Sequence, residues 1–460
     1  MEIKWRLTLI NTVILVLTLV GVGQTQTTQP ESQGKHLEER IKDLEQRLNY
    51  LEKKVAPGTL SRQEVAAEIE QRLAKLEGKY DKIYGPDSFR AYWQDGLTFE
   101  TEDKSFRLKL GGRIQNDWAW FCDKEDAFGD LEDGTEFRRA RLSLEGIIYD
   151  NVEFKGEYDF AGGEAQFKDV FIGLKHLPVI GNLRVGHFKE PFSLEEITSD
   201  NYSTFMERGL PNVFAPSYNT GGMIYNSAFD DRMTWAVGVF RDTDKFGNGS
   251  GDGDYSYTGR LTWLPWYADE GRKLVHVGLG YTHRSPNDKQ VQFKQRPEAH
   301  LAPVFVDTGT FEANRVDSLG PELALVYGPF SIQSEYIQTW VDAINASDPS
   351  FHGGYVQSSY FLTGESRPYK KSAGCFDRVR PKKNFAWKGE RGPGALELAG
   401  RYSWLDLDDA AVDGGTLQDF TLGLNWYLNP NTRIMWNYIH ADAEDQGDAD
   451  IFGMRLQIDF

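Results

Sequence analysis

Cysteine is nearly absent: Cys122 and Cys375 are the two in 460 residues, far apart and outside any Cys-x-x-Cys. That disfavours a disulfide framework and a cysteine-ligated metal site. Long hydrophobic runs are equally scarce. One apolar stretch, Leu7 to Val20, follows Lys4 and Arg6 and precedes Gly21 to Gly23. It is under ~18 apolar residues, short for a membrane helix, and its flanks mark residues 1–23 as a secretory signal peptide. Positive charge is in deficit, with 51 Lys and Arg against 69 Asp and Glu and a net charge of −18, which argues against general nucleic-acid binding. Eight histidines lie scattered without ligand spacing. Asp242-Thr-Asp244 begins like a calcium loop, but Phe246 and Gly253 stand where oxygen ligands belong. Glu190, Glu195 and Glu196 have no histidine or nucleophile arranged with them, and no glycine-rich phosphate loop opens a helix. No enzyme, cofactor or metal is expected.

What is present points elsewhere. A mean hydropathy of −0.52 reads as soluble, yet a transmembrane barrel gives the same value, because half of every strand faces a polar lumen. Aromatics at 13% and 46 glycines suit aromatic girdles and tight turns. In the last ten residues, Phe452, Met454, Leu456, Ile458 and Phe460 alternate with Gly453, Arg455, Gln457 and Asp459. A strict period of two defines a strand with one apolar face. As an open edge it would invite aggregation; in a barrel its apolar face meets lipid and its edge pairs with the first strand.

Upstream, 24–35 is a polar spacer. Leu37, Ile41, Leu44, Leu48, Leu51 and Val55 form a heptad seam, and after Pro57-Gly58 a capping box of Ser61 and Glu64 restarts a helix. Residues 36–84 are expected to form a short periplasmic coiled coil; an amphipathic helix folded against the barrel is the alternative.

From residue 85 to 460 the period is two. Phe106, Leu108, Leu110, Ile114, Trp118 and Trp120 oppose Arg107, Lys109, Arg113, Gln115 and Asp117; Arg139, Arg141 and Glu145, and then Glu153, Lys155, Glu157 and Asp159, repeat the charged parity. A Lys or Arg at mid-depth on a lipid face costs ~2–4 kcal/mol, so that parity faces inward. Further strands are expected near 166–176, 182–190, 220–226, 232–241, 254–264, 273–284, 319–327, 330–341, 354–363, 395–406, 417–428, 432–442 and 451–460. The total is about sixteen, an even number as in single-chain bacterial barrels. Short connections near 150, 177–181, 328 and 429–431 alternate with long ones, as periplasmic turns alternate with outer loops. Residues 364–394 break the alternation. Strand counting makes them periplasmic, yet they are long and carry Arg367, Lys370, Lys371, Arg378, Arg380, Lys382, Lys383, Lys388 and Arg391. Either the count is off by one, or the turn folds into the lumen.

The segments Phe137-Arg-Arg-Ala-Arg141, Leu183-Arg-Val-Gly-His-Phe-Lys-Glu-Pro-Phe-Ser193, Phe205-Met-Glu-Arg208, Tyr360-Phe-Leu-Thr-Gly-Glu365, Ala395-Leu-Glu-Leu-Ala-Gly-Arg-Tyr402 and the terminal Phe460 together resemble the phosphate-selective porin O and P family. The resemblance covers about 85–460. It implies an all-β, sixteen-stranded, trimeric barrel in the outer membrane, with loops and a turn folded into the channel. It also implies a path for phosphate or polyphosphate along lumen arginines to a lysine-lined constriction. On this chain the candidate anion pathway comprises Arg107, Lys109, Arg113, Arg139, Arg141, Lys189, Arg260, Arg378, Arg380, Lys382, Lys383, Arg401 and Arg455. Lys189 stands where the chain enters the long loop near 191–219.

Against a purely basic lining, Asp117, Glu145, Glu153, Glu157, Asp159, Glu335 and Glu397 also point inward. The wall is then either electrostatically partitioned or simply salt-bridged. Three functions follow: a channel for small anions; a broad nutrient porin; or a structural anchor whose coiled coil contacts cell-wall polymer. The expected partners are outer-membrane lipid, two further copies in a homotrimer and a small anionic solute, with no nucleic acid. The closing strand is expected to pair with strand 106–120. Asn116, polar on the lipid parity, is expected in a subunit contact.

Overall fold

The computed structural model describes residues 89–460 except 124–127, 129–130, 252–254, 389–391 and 445. The signal peptide, spacer and coiled coil expected over 1–84 lie outside the described residues. Sixteen strands make the wall: β1 Phe106–Asp123, β2 Gly134–Ile148, β3 Val152–Asp159, β4 Gln166–Leu177, β5 Gly181–Lys189, β6 Tyr218–Ala228, β7 Met233–Arg241 and β8 Tyr255–Ala268. They continue with β9 Lys273–Arg284, β10 Phe311–Tyr327, β11 Phe330–Ala343, β12 Ser350–Phe361, β13 Ala395–Asp409, β14 Val412–Asn429, β15 Thr432–Ala443 and β16 Gly447–Asp459. Each pairs antiparallel with the next, and β16 returns to β1. All expected strands form. The largest departure is β10, which begins at Phe311 rather than near 319 because its outer end projects beyond the lipid-facing stretch.

The outward parity is a continuous apolar band, with Leu142, Ile172, Val237, Leu279, Leu323, Val356 and Leu422 among its exposed side chains. Trp118, Trp120, Tyr281 and Trp340 ring it at the loop end, and Tyr149, Phe229, Tyr327 and Tyr360 at the short-turn end. These are the two interfacial girdles of a transmembrane barrel. Asn116 does not need a neighbour: its amide donates to the Glu136 carbonyl at 3.0 Å and accepts from Trp118 Nε1–H at 2.8 Å. The polarity that suggested a subunit contact is thus met locally as well.

Closure is staggered. β16 covers β1 only from Arg113 to Asp123, which leaves residues 106–111 projecting past the end of the chain. An additional hairpin, Phe89–Trp93 with Leu97–Thr101, fills this step by pairing Leu97 with Leu110 through Glu100 with Arg107. Phe460 sits at the junction. Its N–H donates to Gly112 O at 3.0 Å, and its carbonyl accepts from Gly112 N–H at 2.7 Å.

Inside the ring, the outer half does not follow the polar-lumen rule. Val316, Ile337, Val341, Phe351, Leu405, Leu407, Leu417, Ile439 and Ile451 point inward and are buried in one apolar cluster with Phe192, Leu210, Phe214, Phe293 and Phe305. The latter five come from two loops, 190–217 and 285–310, that fold into the barrel. The wall is apolar where a loop covers it.

Across the closing seam, Arg455 donates from Nε and Nη2 to the Asp117 carboxylate at 2.7 and 2.6 Å, with both side chains buried. Truncating one partner strands the other charge, a loss of ~3–5 kcal/mol. Arg455→Met should therefore lower the temperature at which the folded barrel loses its fast electrophoretic mobility. Arg455→Met with Asp117→Asn should recover part of the loss, and no recovery would deny the pair this role.

Candidate permeation pathway

Loop 190–217 leaves β5 at Lys189 and crosses the lumen. Its apolar side chains seat on glycines of the opposite wall: a Cβ at Gly280 or Gly320 would lie 2.9 or 3.0 Å from the Phe192 ring, and one at Gly423 would lie 3.2 Å from Phe205. Each buried aromatic contributes ~1.5–3 kcal/mol. The loop's first helical turn, Leu194–Ile197, is held at its start by Glu335, whose carboxylate accepts the N–H groups of Leu194 at 2.9 Å and Glu195 at 2.8 Å.

Wall arginines hold the rest. Asp200, at the loop's centre, meets Arg139 at 3.1 Å, Arg141 at 3.5 Å and Arg113 at 3.6 Å on the wall, and Arg208 of its own loop at 2.6 Å. Arg141 also binds Asp159 at 2.7 Å and Glu157 at 2.9 Å. Arg455 donates to Met206 O at 2.5 Å and to Glu207 at 2.8 Å. Arg401 binds Glu195 at 3.1 Å, Glu207 O at 2.9 Å and, most closely, Glu298 of loop 285–310, while stacking 4.4 Å from Phe205. Lys189 pairs with Glu196 at 3.2 Å.

The long turn 362–394 does enter the ring. Its small hairpin, Tyr369–Lys370 with Cys375–Phe376, lies against β8 and β9: Arg260 binds Glu322 at 2.7 Å and Gly374 O at 2.9 Å, and Tyr369 meets His276 Nδ1 at 2.7 Å. Arg378 ties the turn to Asp459, to Tyr202 at 3.1 Å and to Pro430 O at 2.5 Å. Arg380 reaches Asp95 of the additional hairpin at 2.5 Å. Cys375 is buried here and Cys122 is exposed on the outer face, both as free thiols.

The open space lies along β1–β8, the side away from the loop's seat. Three neighbouring cavities of about 520, 280 and 460 Å3 share Lys370 in their linings. The first is lined by Arg107, Lys109, Lys155, Lys175 and Arg184 as well as Lys370. The third sets Lys175, Arg184, Lys189, Arg260 and Lys370 against one carboxylate, Asp169. By contrast, the inward carboxylates Glu335, Glu397 and Asp419 are buried on β11–β14. Loops thus seal the wall that carries Glu335, Glu397 and Asp419 together with Arg401 and Arg455, while the first and third cavities, which also hold Asp95, Glu145, Glu153 and Asp169, keep a cationic excess.

Of the thirteen candidate residues, Arg107, Lys109, Arg113, Arg141, Lys189, Arg260 and Arg378 line these cavities. Arg139, Arg401 and Arg455 are buried as loop anchors, and Arg380, Lys382 and Lys383 are exposed at the short-turn end. Sequence reasoning did not single out Lys175, Arg184 or Lys370, although the inward parity of β5 and the basic run itself carried the signal. Arg138 was hidden by a bulge. Gln115 pairs with Arg139 but Asn116 with Phe137, so Arg138 is the extra residue; it turns inward to clasp Glu207 with two bonds of 2.9 Å.

A closed sixteen-stranded transmembrane barrel, constricted by an inward loop and lined by charge, is a porin. The phosphate-selective porin O and P model matches residues 108–460, and the chain belongs to that family. Porin O of Pseudomonas aeruginosa is 29% identical over 412 residues, covering 79% of this chain and 91% of its own length. An uncharacterised protein of Caulobacter vibrioides is 30% identical over 396 residues, covering 80% and 76%. Among solved structures, the anion-selective porin of Comamonas acidovorans superposes with a TM-score of 0.51 at 13% identity, covering 77% of this chain and all of that one. A loop-L8 deletion mutant of OmpT from Vibrio cholerae does so at 0.51 and 12%, with the same coverage. These two share the fold.

The glycine seats predict that Gly320→Leu, which displaces the Phe192 ring, will leave the strand content of the circular dichroism spectrum intact while raising and destabilising single-channel conductance. An unchanged current trace would mean that the loop is held without that seat.

Proposed function

We propose that this outer-membrane porin passes small anions, with phosphate or polyphosphate as the solute class, along the β1–β8 wall. One observation carries the reading: the open cavities share Lys370 and are lined by more cationic than anionic side chains, whereas carboxylates of the opposite wall lie beneath the loops. An anion entering such a space exchanges water for ammonium and guanidinium donors. Because Arg107, Lys175 and Lys370 have no carboxylate partner within ion-pair distance among the described residues, their donors remain available to it. The paired arginines Arg113 and Arg141 add field, and their carboxylates keep the anion from binding too tightly to leave. In this reading Arg139, Arg401 and Arg455 act on permeation by placing the loop. Arg380, Lys382 and Lys383 contribute long-range attraction at the exit.

The family relationship favours phosphate, and a homotrimer assembled through faces of the barrel wall accompanies the proposal. Residues 36–84, as a periplasmic coiled coil, would add strand-to-strand contacts and could meet cell-wall polymer. A nutrient porin without charge preference is the second reading, favoured by the remaining inward carboxylates Glu145, Glu153 and Asp169 along the same cavities.

Reversal potentials in planar bilayers test both. Anion preference is expected, and Lys370→Glu should reduce it by about fivefold, on the order of 1 kcal/mol for a two-unit charge change at ~8 Å in water. Added phosphate should also depress chloride conductance. Cation preference in the wild type would overturn the proposal; anion preference without phosphate inhibition would leave a general anion channel. A permeability ratio near unity would favour the nutrient porin.

A further inference from the structure

The basic turn 362–394 divides in two. Its first half, with Lys370 and Arg378, is inside the ring. Its second half crosses the rim and comes to rest outside the barrel. Phe385 N–H donates to Leu428 O at 2.6 Å, and its ring lies 4.9 Å from that of Trp426 in an edge contact. Trp426 shares its parity on β14 with Phe420 and Leu422, which are 46% and 48% exposed on the lipid-facing side. Trp387 stands 5.0 Å beyond Phe385 and is 81% exposed. Around this aromatic group Lys382, Lys383 and Lys388 are exposed. Lys382 Nζ donates to Thr363 O at 3.2 Å at the rim, and no carboxylate of a described residue lies within ion-pair distance of any of the three.

We propose that this outer half is a headgroup site for anionic phospholipid in the periplasmic leaflet. Phe385 and Trp387 continue the lipid-facing wall through Trp426, so the occupant of the patch is the phase that already covers that wall. Aromatic rings prefer the interfacial layer, where an apolar body and a polar edge are both satisfied. Three lysines held at that level attract phosphate-bearing headgroups, each worth ~1 kcal/mol, or roughly fivefold in local enrichment. The turn therefore clamps the barrel rim between a lumen contact and a bilayer contact. This inference rests on the outer-membrane placement and is independent of the channel's selectivity.

The test uses the full barrel in vesicles of phosphatidylcholine with phosphatidylglycerol. A thiol-reactive fluorophore is attached at position 386 through Ala386→Cys in a Cys122→Ser background, which leaves Trp387 in place. Spin-labelled phosphatidylglycerol should quench it several times more strongly than spin-labelled phosphatidylcholine at equal mole fraction. The variant K382E/K383E/K388E should abolish that difference while the barrel keeps its strand circular dichroism and its fast electrophoretic mobility. Equal quenching by the two lipids in the unreversed protein would overturn the proposal, as would quenching by aqueous iodide alone. Protection from all three quenchers, with trimers lost in the charge-reversed variant, would overturn it too and assign the patch to a subunit contact instead.

Discussion

A guanidinium cannot face hydrocarbon, and one taken out of water must find a carboxylate or carbonyl. Several inward arginines of this barrel meet that demand in part by reaching for chain that is not part of the wall. Asp200 is approached by three of them, Glu207 by Arg138 and Arg455, and Glu298 by Arg401. The wall thus creates the need and the loops supply the partners. Without that exchange Arg139 and Arg401 would lose their carboxylate partners, and loops 190–217 and 285–310 would be held by apolar contacts alone.

Shape complementarity then decides where the loops lie. Glycine seats for Phe192 and Phe205, and an apolar inner face on β10–β16, draw them to one side of the ring. The lumen that remains borders β1–β8 and the hairpin of turn 362–394. Turn 362–394 enters from the opposite end and places Lys370 where the three cavities meet. The charge of the open lumen and its narrowness arise from separate causes: the first from which wall is left uncovered, the second from how the loops are held.

The wall was legible in the sequence because lipid enforces a period of two, and a misplaced Arg107 or Arg141 would cost several kcal/mol. β16 could be matched to β1 for the same reason. The family could also be recognised from its motifs. The interior was less legible. Leu405, Leu407, Ile439 and Ile451 on the inward parity announced a covered inner face, but nothing local says which loop does the covering. Arg138 escaped because a bulge changes parity without a distinctive residue. The basic turn 364–394 could be recognised as anomalous, yet its division at the rim depends on Phe385 finding Trp426, which the chain reaches only after the whole of β13. Lys370 and Lys382 look alike as letters, yet one lines the lumen cavities and the other sits at the rim.

The loop's anchors also carry a timing. Arg401 and Arg455 reach the carbonyls of Glu207 and Met206 across 194 and 249 positions, and Arg455 belongs to the last strand. Loop 190–217 precedes all of these partners in the chain. It cannot complete its contacts until the final strand is in place, so contacts of such sequence separation must come late in assembly. Closure and constriction are therefore completed by one strand: Arg455 joins β16 to Asp117 of β1 and, through the same guanidinium, to Met206 and Glu207 of the loop.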